Sequence, residues 1–206
     1  NDTWEWNGND GTVSALRGPC PRWIHAMAYD SARDVTVLFG GGTTTGWSSE
    51  TWEWDGKTWL LRASSGPSPR SRHAMSYDSL RERVVLFGGD TADIPFGDTW
   101  EWDGVSWTLR SNTGPSPRFE HGLAFDSNRG ATVLFGGYDA GGRRGDTWEW
   151  NGTGWTQRST AGPSPRNAFG MTYDESRRLT LIFGGRTIPD DYRNDLWGWD
   201  GDSWFQ

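Results

Sequence analysis

From His73 to Tyr77 large and small residues alternate, the period-two pattern of a strand with one buried face. Asp78-Ser-Leu-Arg81 breaks it as a turn, since Asp and Ser bond nearby backbone. Arg83-Val-Val-Leu-Phe87 is β-branched and continuous, which predicts a second, well-buried strand. Gly88-Gly89 stops it, and a polar loop runs to Asp98. In Thr99-Trp-Glu-Trp-Asp103 the two indoles share one face of a third strand and Glu101 takes the other. Asp103-Gly104 is a hairpin signal, and Val105–Leu109 reads as a fourth strand. The prolines of Gly114-Pro-Ser-Pro-Arg118 then exclude a central strand.

The same succession recurs every 48 residues, from Gly18, Gly66, Gly114 and Gly162. Phe-Gly-Gly keeps the register at Phe39, Phe87, Phe135 and Phe183, and the paired tryptophans keep it at Trp52, Trp100, Trp148 and Trp197. A fixed period of this size signals a supersecondary unit stacked on its copies. Four antiparallel strands per unit, with no helical period, fit an all-β fold of propeller blades. Units fall at 18–65, 66–113, 114–161 and 162–206, within a single domain of 1–206. Residues 1–17 carry only a third strand, Asp2–Gly8, and a fourth, Thr12–Leu16, with Gly11 where other units have Trp. The expected architecture is thus four complete four-stranded blades plus an N-terminal half-blade, 18 strands in all. Further blades of a longer chain, or a second copy, are expected to supply the half-blade's missing pair; a self-contained ring of four or five blades is the other arrangement.

Pro-Arg-x-x-His, the Tyr-Asp turn, the apolar strand ending in Gly-Gly and the later Trp resemble kelch repeats, over nearly the whole chain. The chain most resembles bacterial kelch arrays rich in Asp-Thr-Trp-Glu-Trp-Asp-Gly. The resemblance implies a β-propeller whose first strands line the axis. It implies no single activity, because such folds carry binding modules and some enzymes.

Apolar residues are only 33%, but sixteen Trp and nine Phe supply the buried area. Net charge is −7 without a basic stripe, which argues against nucleic acid. No apolar run is long enough for membrane insertion by a helix. A lone Cys20 excludes an internal disulfide. The expected location is extracellular or the cell surface.

Residues present in every unit are expected to hold the blades together, and those found once, on loops, are free for function. Fourteen tryptophans in register are expected to pack between blades. His25, His73 and His121, with Phe169 in the fourth unit, are expected as packed, hydrogen-bonded rings rather than a metal site. Arg22, Arg70, Arg118 and Arg166 are expected to pair with repeat carboxylates such as Glu53, Glu101, Glu149, Asp98 or Asp146.

The long loops follow the second and fourth strands and emerge on one face, where a rigid scaffold presents function. Their register-breaking residues form the candidate ligand-binding set: Trp23, Trp47, Phe96, Phe119, Glu120, Tyr138, Arg143, Arg144, Tyr192 and Arg193. Aromatic rings among charges suit a protein or a glycan. Asp90, Asp93 and Asp98, or Asp190, Asp191 and Asp195, match no Ca²⁺-loop spacing. No catalytic residue, cofactor or metal is assigned, since Glu120 has no identifiable acid–base partner. The expected function is a non-catalytic recognition propeller. A kelch-type enzyme of sugar chemistry, oxidase or mutarotase-like, and a ligand-free structural segment of a larger protein are the alternatives.

Overall fold

The computed structural model describes residues 2–188 and 191–206. They form four four-stranded antiparallel sheets, each in the order of its strands along the chain. The first sheet holds Ala26–Asp30, Val35–Phe39, Thr51–Trp54 and Trp59–Ala63; the second Ala74–Asp78, Arg83–Phe87, Thr99–Trp102 and Trp107–Ser111. The third holds Gly122–Asp126, Ala131–Phe135, Thr147–Trp150 and Trp155–Ser159; the fourth Gly170–Asp174, Leu179–Phe183, Leu196–Trp199 and Trp204–Phe205. Thr3–Trp6 and Gly11–Ala15 form the half-blade. First strands of consecutive sheets lie beside one another, so the sheets fan from a common inner side in propeller-like fashion. No helix among the described residues is long and apolar enough to cross a membrane.

Strand boundaries differ from the sequence reading by one or two residues, and the third strand ends at Trp102. The first strand begins one residue late, leaving His73 outside it, and the fourth starts at Trp107 because Asp103 and its neighbours close the turn. The long loop after Gly-Gly is also no irregular loop. In the first blade Gly42–Thr43 and Gly46–Trp47 form a small hairpin, and the equivalent segments of the other blades do the same. Each hairpin pairs back onto the residue after the repeat arginine, as in Trp23↔Gly42, Ser71↔Asp90, Phe119↔Tyr138 and Asn167↔Arg186. Strands of two residues are too short to leave a hydrophobic period.

The in-register tryptophans divide three tasks. Trp54, Trp102, Trp150 and Trp199 are buried against the preceding sheet and donate to its carboxylate, Glu5, Glu53, Glu101 and Glu149, at 2.9–3.2 Å. Trp59, Trp107, Trp155 and Trp204 donate across the same interface to Thr3, Thr51, Thr99 and Thr147. Trp52, Trp100, Trp148 and Trp197 bond the acid two residues earlier in their own blade. Each buried indole contributes about 2–3 kcal/mol, and its satisfied N–H fixes the angle between sheets.

Phe39, Phe87 and Phe135 plug the same interfaces, each against one ring of the Pro-Arg-x-x-His/Phe segment and one fourth-strand Trp of the next blade. Gly88, at φ +65°, must be glycine: a Cβ there would lie 2.5 Å from the carbonyl of Arg118 in the next blade. The amide of Gly89 donates to that carbonyl at 2.9 Å.

Candidate functional site

The site is built on the segment that carries each repeat arginine. Arg70 is buried and clamps Asp98 with both terminal nitrogens, at 2.6 and 2.8 Å, while Nη1 also donates to the Gly88 carbonyl. Arg118 and Arg166 do the same with Asp146 and Asp195, and Arg22 reaches Glu50. Burial alone would raise the Asp98 and Asp146 pKa values; the facing guanidiniums more than reverse this and lower them. Glu53, Glu101 and Glu149 are instead paired with Arg33, Arg81 and Arg129 of the first-to-second-strand turns. Hence the repeat arginines are structural clamps.

His73 and His121 pack edge-on against Phe39 and Phe87, with ring centroids 5.5 and 5.4 Å apart. Both imidazoles are buried, and the main chain of the same Phe, Phe39 or Phe87, offers each a hydrogen bond of less than ideal geometry. Burial, reinforced by Arg70 and Arg118, pushes both imidazoles down to about 3 and keeps them neutral. Apolar neighbours also explain why Phe169 can replace them.

Two residues beyond each repeat arginine the backbone turns left-handed at a residue other than glycine. Ile24, Arg72, Glu120 and Ala168 have φ of 50–55°. Their main chains are stitched together: Arg72 N donates to Ile24 O (3.1 Å), Glu120 N to Arg72 O (2.9 Å) and Ala168 N to Glu120 O (3.0 Å). This arc crosses three blade boundaries with one repeated conformation and four different side chains. Conformations of this sort persist where the surroundings over-determine them and cluster at functional positions.

Unique side chains gather beside the arc. The Arg72 guanidinium bonds Asp90 and Asp93, lies 4.1 Å from the Phe119 ring centroid and stands 4.0 Å from Glu120. Hydrogen bonding to Asp90 first, then to Asp93, raises its pKa and fixes its charge. Phe119 stacks on Tyr138 at 5.6 Å and 29°. Asn167 donates to Glu120 and accepts from Arg143 Nε at 2.7 Å. Of the predicted set, Phe119, Glu120, Tyr138 and Arg143 are therefore brought together.

The exposed Trp23 and the half-buried Trp47 form a separate aromatic pair on the first blade, edge to face at 6.5 Å. Trp23 lies so close over Gly42 that a Cβ there would sit 2.6 Å from the indole. Arg144 is held by Asp139 at 2.6 Å. Tyr192 is exposed on the fourth blade's hairpin, where Arg193 contacts Thr187 and Asp191. Phe96 is partly buried and covered by the Arg70 guanidinium at 4.0 Å, so it braces an internal clamp. Asp90 and Asp98 are taken by Arg72 and Arg70, so Asp90, Asp93 and Asp98 form no cation cage. Asp195 is likewise held by Arg166, and Asp190 lies outside the described residues.

Sequence reasoning missed Arg72 and Asn167. The available signal was variation between invariant flanks: Ile24, Arg72, Glu120 and Ala168 differ although the Arg before and the aromatic ring after hold register.

Near-identical antiparallel sheets fanned from their first strands, with one differentiated face, define a propeller-like repeat protein. The family model described as the KLHDC2/KLHL20/DRC7 Kelch-repeats domain matches residues 57–204. The chain belongs to the kelch-repeat family, whose repeats generally mediate protein–protein binding. No curated protein matches the chain.

Proposed function

We propose that this chain is a non-catalytic recognition module that holds a protein partner on the face carrying the hairpins and the left-handed arc. The observation that supports this most is the concentration of register-breaking side chains there. Arg72, Phe119, Glu120, Tyr138, Arg143 and Asn167 are linked in one polar and aromatic network, and the exposed Trp23, packed on the half-buried Trp47, adds an anchor beside it. Aromatic and arginine side chains are the usual hot-spot anchors of protein interfaces. The opposite face carries repeated turns closed by Asp30, Asp78, Asp126 and Asp174. Glu120 faces a guanidinium and an amide rather than a second acid, an arrangement that suits orientation of a partner over proton transfer.

The test is selection of binding peptides from a displayed random library, with a glycan array run in parallel. Selected peptides are expected to lose affinity about tenfold or more with Trp23→Ala, Tyr138→Ala or Arg72→Ala. The opposite-face control Ser79→Ala is expected to change nothing. Peptides insensitive to all three face substitutions, or saturable binding of glycans alone, would overturn the reading.

A further inference from the structure

The turn between third and fourth strands opens on Asp-Gly in the first, second and fourth blades, at Asp55, Asp103 and Asp200, and on Asn-Gly in the third, at Asn151. In all four blades Oδ1 of that residue accepts the main-chain N–H groups two and three positions on, which makes an Asx turn. The carboxylates accept at 2.7–2.9 Å, from Lys57 and Thr58, from Val105 and Ser106, and from Asp202 and Ser203. Asn151 accepts from Thr153 and Gly154 at 2.9 and 3.0 Å. A charged acceptor makes the shorter and stronger bonds. The paired amides accordingly hold the Asp55, Asp103 and Asp200 carboxyls below the usual carboxylate range. Asn151 thus places a neutral amide in a cradle that favours a carboxylate.

The chemistry that would remove the amide needs only the neighbouring residue and water. Asn151 is exposed, and Gly152 has no side chain to keep its nitrogen away from the Asn151 side-chain carbon. The Gly152 nitrogen attacks Cγ of Asn151, and ammonia leaves, carrying the side-chain nitrogen and the Gly152 amide proton. A five-membered succinimide remains. Water that breaks the new Cγ–N bond leaves aspartate. Water that breaks the former peptide bond instead leaves isoaspartate, whose main chain is longer by one CH2 group.

The two products meet the fold differently. Gly152 is clamped onto the second blade: Arg110 Nη2 donates to its carbonyl at 3.1 Å, and a Cβ on it would lie 2.8 Å from the Arg81 guanidinium. Both arginines also hold Glu101, which receives the Trp150 indole. Gly104 and Gly201 sit under Arg33 and Arg129 in the same way, each behind an aspartate. Aspartate therefore fits at position 151 as it does at Asp103 and Asp200. The longer isoaspartyl chain displaces Gly152 from its clamp and disturbs the junction at Glu101.

We infer that Asn151-Gly152 is a self-modification site, where the folded chain deamidates with water as its co-reactant and the blade interface accepts the aspartyl product over the isoaspartyl one. Conversion takes the net charge of −7 one unit lower. The site lies beside the short turn that carries Arg81, so this inference is independent of the hairpin face.

The test incubates the whole folded chain in mildly alkaline buffer made with water labelled with heavy oxygen, then digests it at acid pH for peptide mapping. The peptide holding Asn151 is expected to lose one ammonia and gain one labelled oxygen, progressively with time and faster as pH rises. Asn112 and Asn128 are equally exposed but precede Thr113 and Arg129; they are expected to remain amides and set the baseline. Asn7-Gly8 is read in a separate peptide. Asn151→Asp is expected to keep the wild-type melting temperature, and the isoaspartyl fraction, separated by chromatography, is expected to melt lower. No labelled oxygen at position 151 above the baseline would overturn the inference. So would an Asn151→Asp chain that melts below the wild type, or equal melting of the two products.

Discussion

Trp102 donates its indole N–H to Glu53 across the boundary between the first two blades, 3.1 Å from nitrogen to oxygen, while Arg33 and Arg62 hold the same carboxylate at 2.6 and 2.9 Å. One buried acid thus joins two sheets, a turn and a fourth strand. The relationship repeats at Glu101 with Trp150, Arg81 and Arg110.

Removing such an acid takes an acceptor from several partners at once. Glu101→Ala leaves one buried indole N–H unpaired and takes a carboxylate from Arg81, which keeps Asp78, and from Arg110, which keeps the Gly152 carbonyl; it is expected to cost about 2–3 kcal/mol. Chemical denaturation checks it. Glu5→Ala, at the exposed half-blade, is expected to cost distinctly less.

Stability is expected to fall on mild acidification through the histidines. His73 and His121 stay neutral in the fold down to about 3, whereas the unfolded chain takes up protons below its ordinary 6.5. The unfolded state then binds more protons, so stability is complete above pH 6.5 and is lost as pH falls toward 3, by roughly 2 kcal/mol per histidine between pH 6.5 and 5. His121→Phe, which copies Phe169, is expected to keep neutral-pH stability and flatten this slope. Melting temperatures across pH 5–8 read it directly.

Arg118→Lys removes a bidentate clamp that an ammonium cannot reproduce. A loss of about 3 kcal/mol is expected, because Asp146 keeps its partial burial without its partner. Urea midpoints for this variant and the wild type give the comparison.

Phe96→Ala and Trp23→Ala are expected to separate stability from binding. Phe96 braces Arg70, so its loss is expected to cost about 2 kcal/mol and leave selected peptides bound. Trp23 is half exposed, so its loss is expected to spare the melting curve and weaken the peptides.

The turn after the first strand holds Asp34, Glu82 and Arg178 at φ of 54–56°, where the third blade has Gly130. Glu82 is exposed, so Glu82→Gly is expected to relieve a left-handed side chain and stabilise by about 0.5–1 kcal/mol. Gly130→Ala is expected to cost about 1 kcal/mol. Paired thermal melts test both signs.

The blades were legible because each strand writes its own period and every unit repeats it. Comparison of units also marked Glu120 as unusual. What escaped lay in relationships with no local trace. The two-residue hairpins carry no alternation, and the clamp that absorbs Phe96 joins it to Arg70, 26 residues away in sequence. The left-handed setting of Arg72 gave no warning because no glycine marks it. The histidines read correctly as packed rings, but composition could not tell that a Phe lies edge-on against each.

The stitched positions Ile24, Arg72, Glu120 and Ala168 share one backbone setting and differ in everything a visitor would touch. Foldability and selectivity are thereby uncoupled at four addresses. A new preference could arise there by exchanging side chains alone, with the frame that displays them untouched.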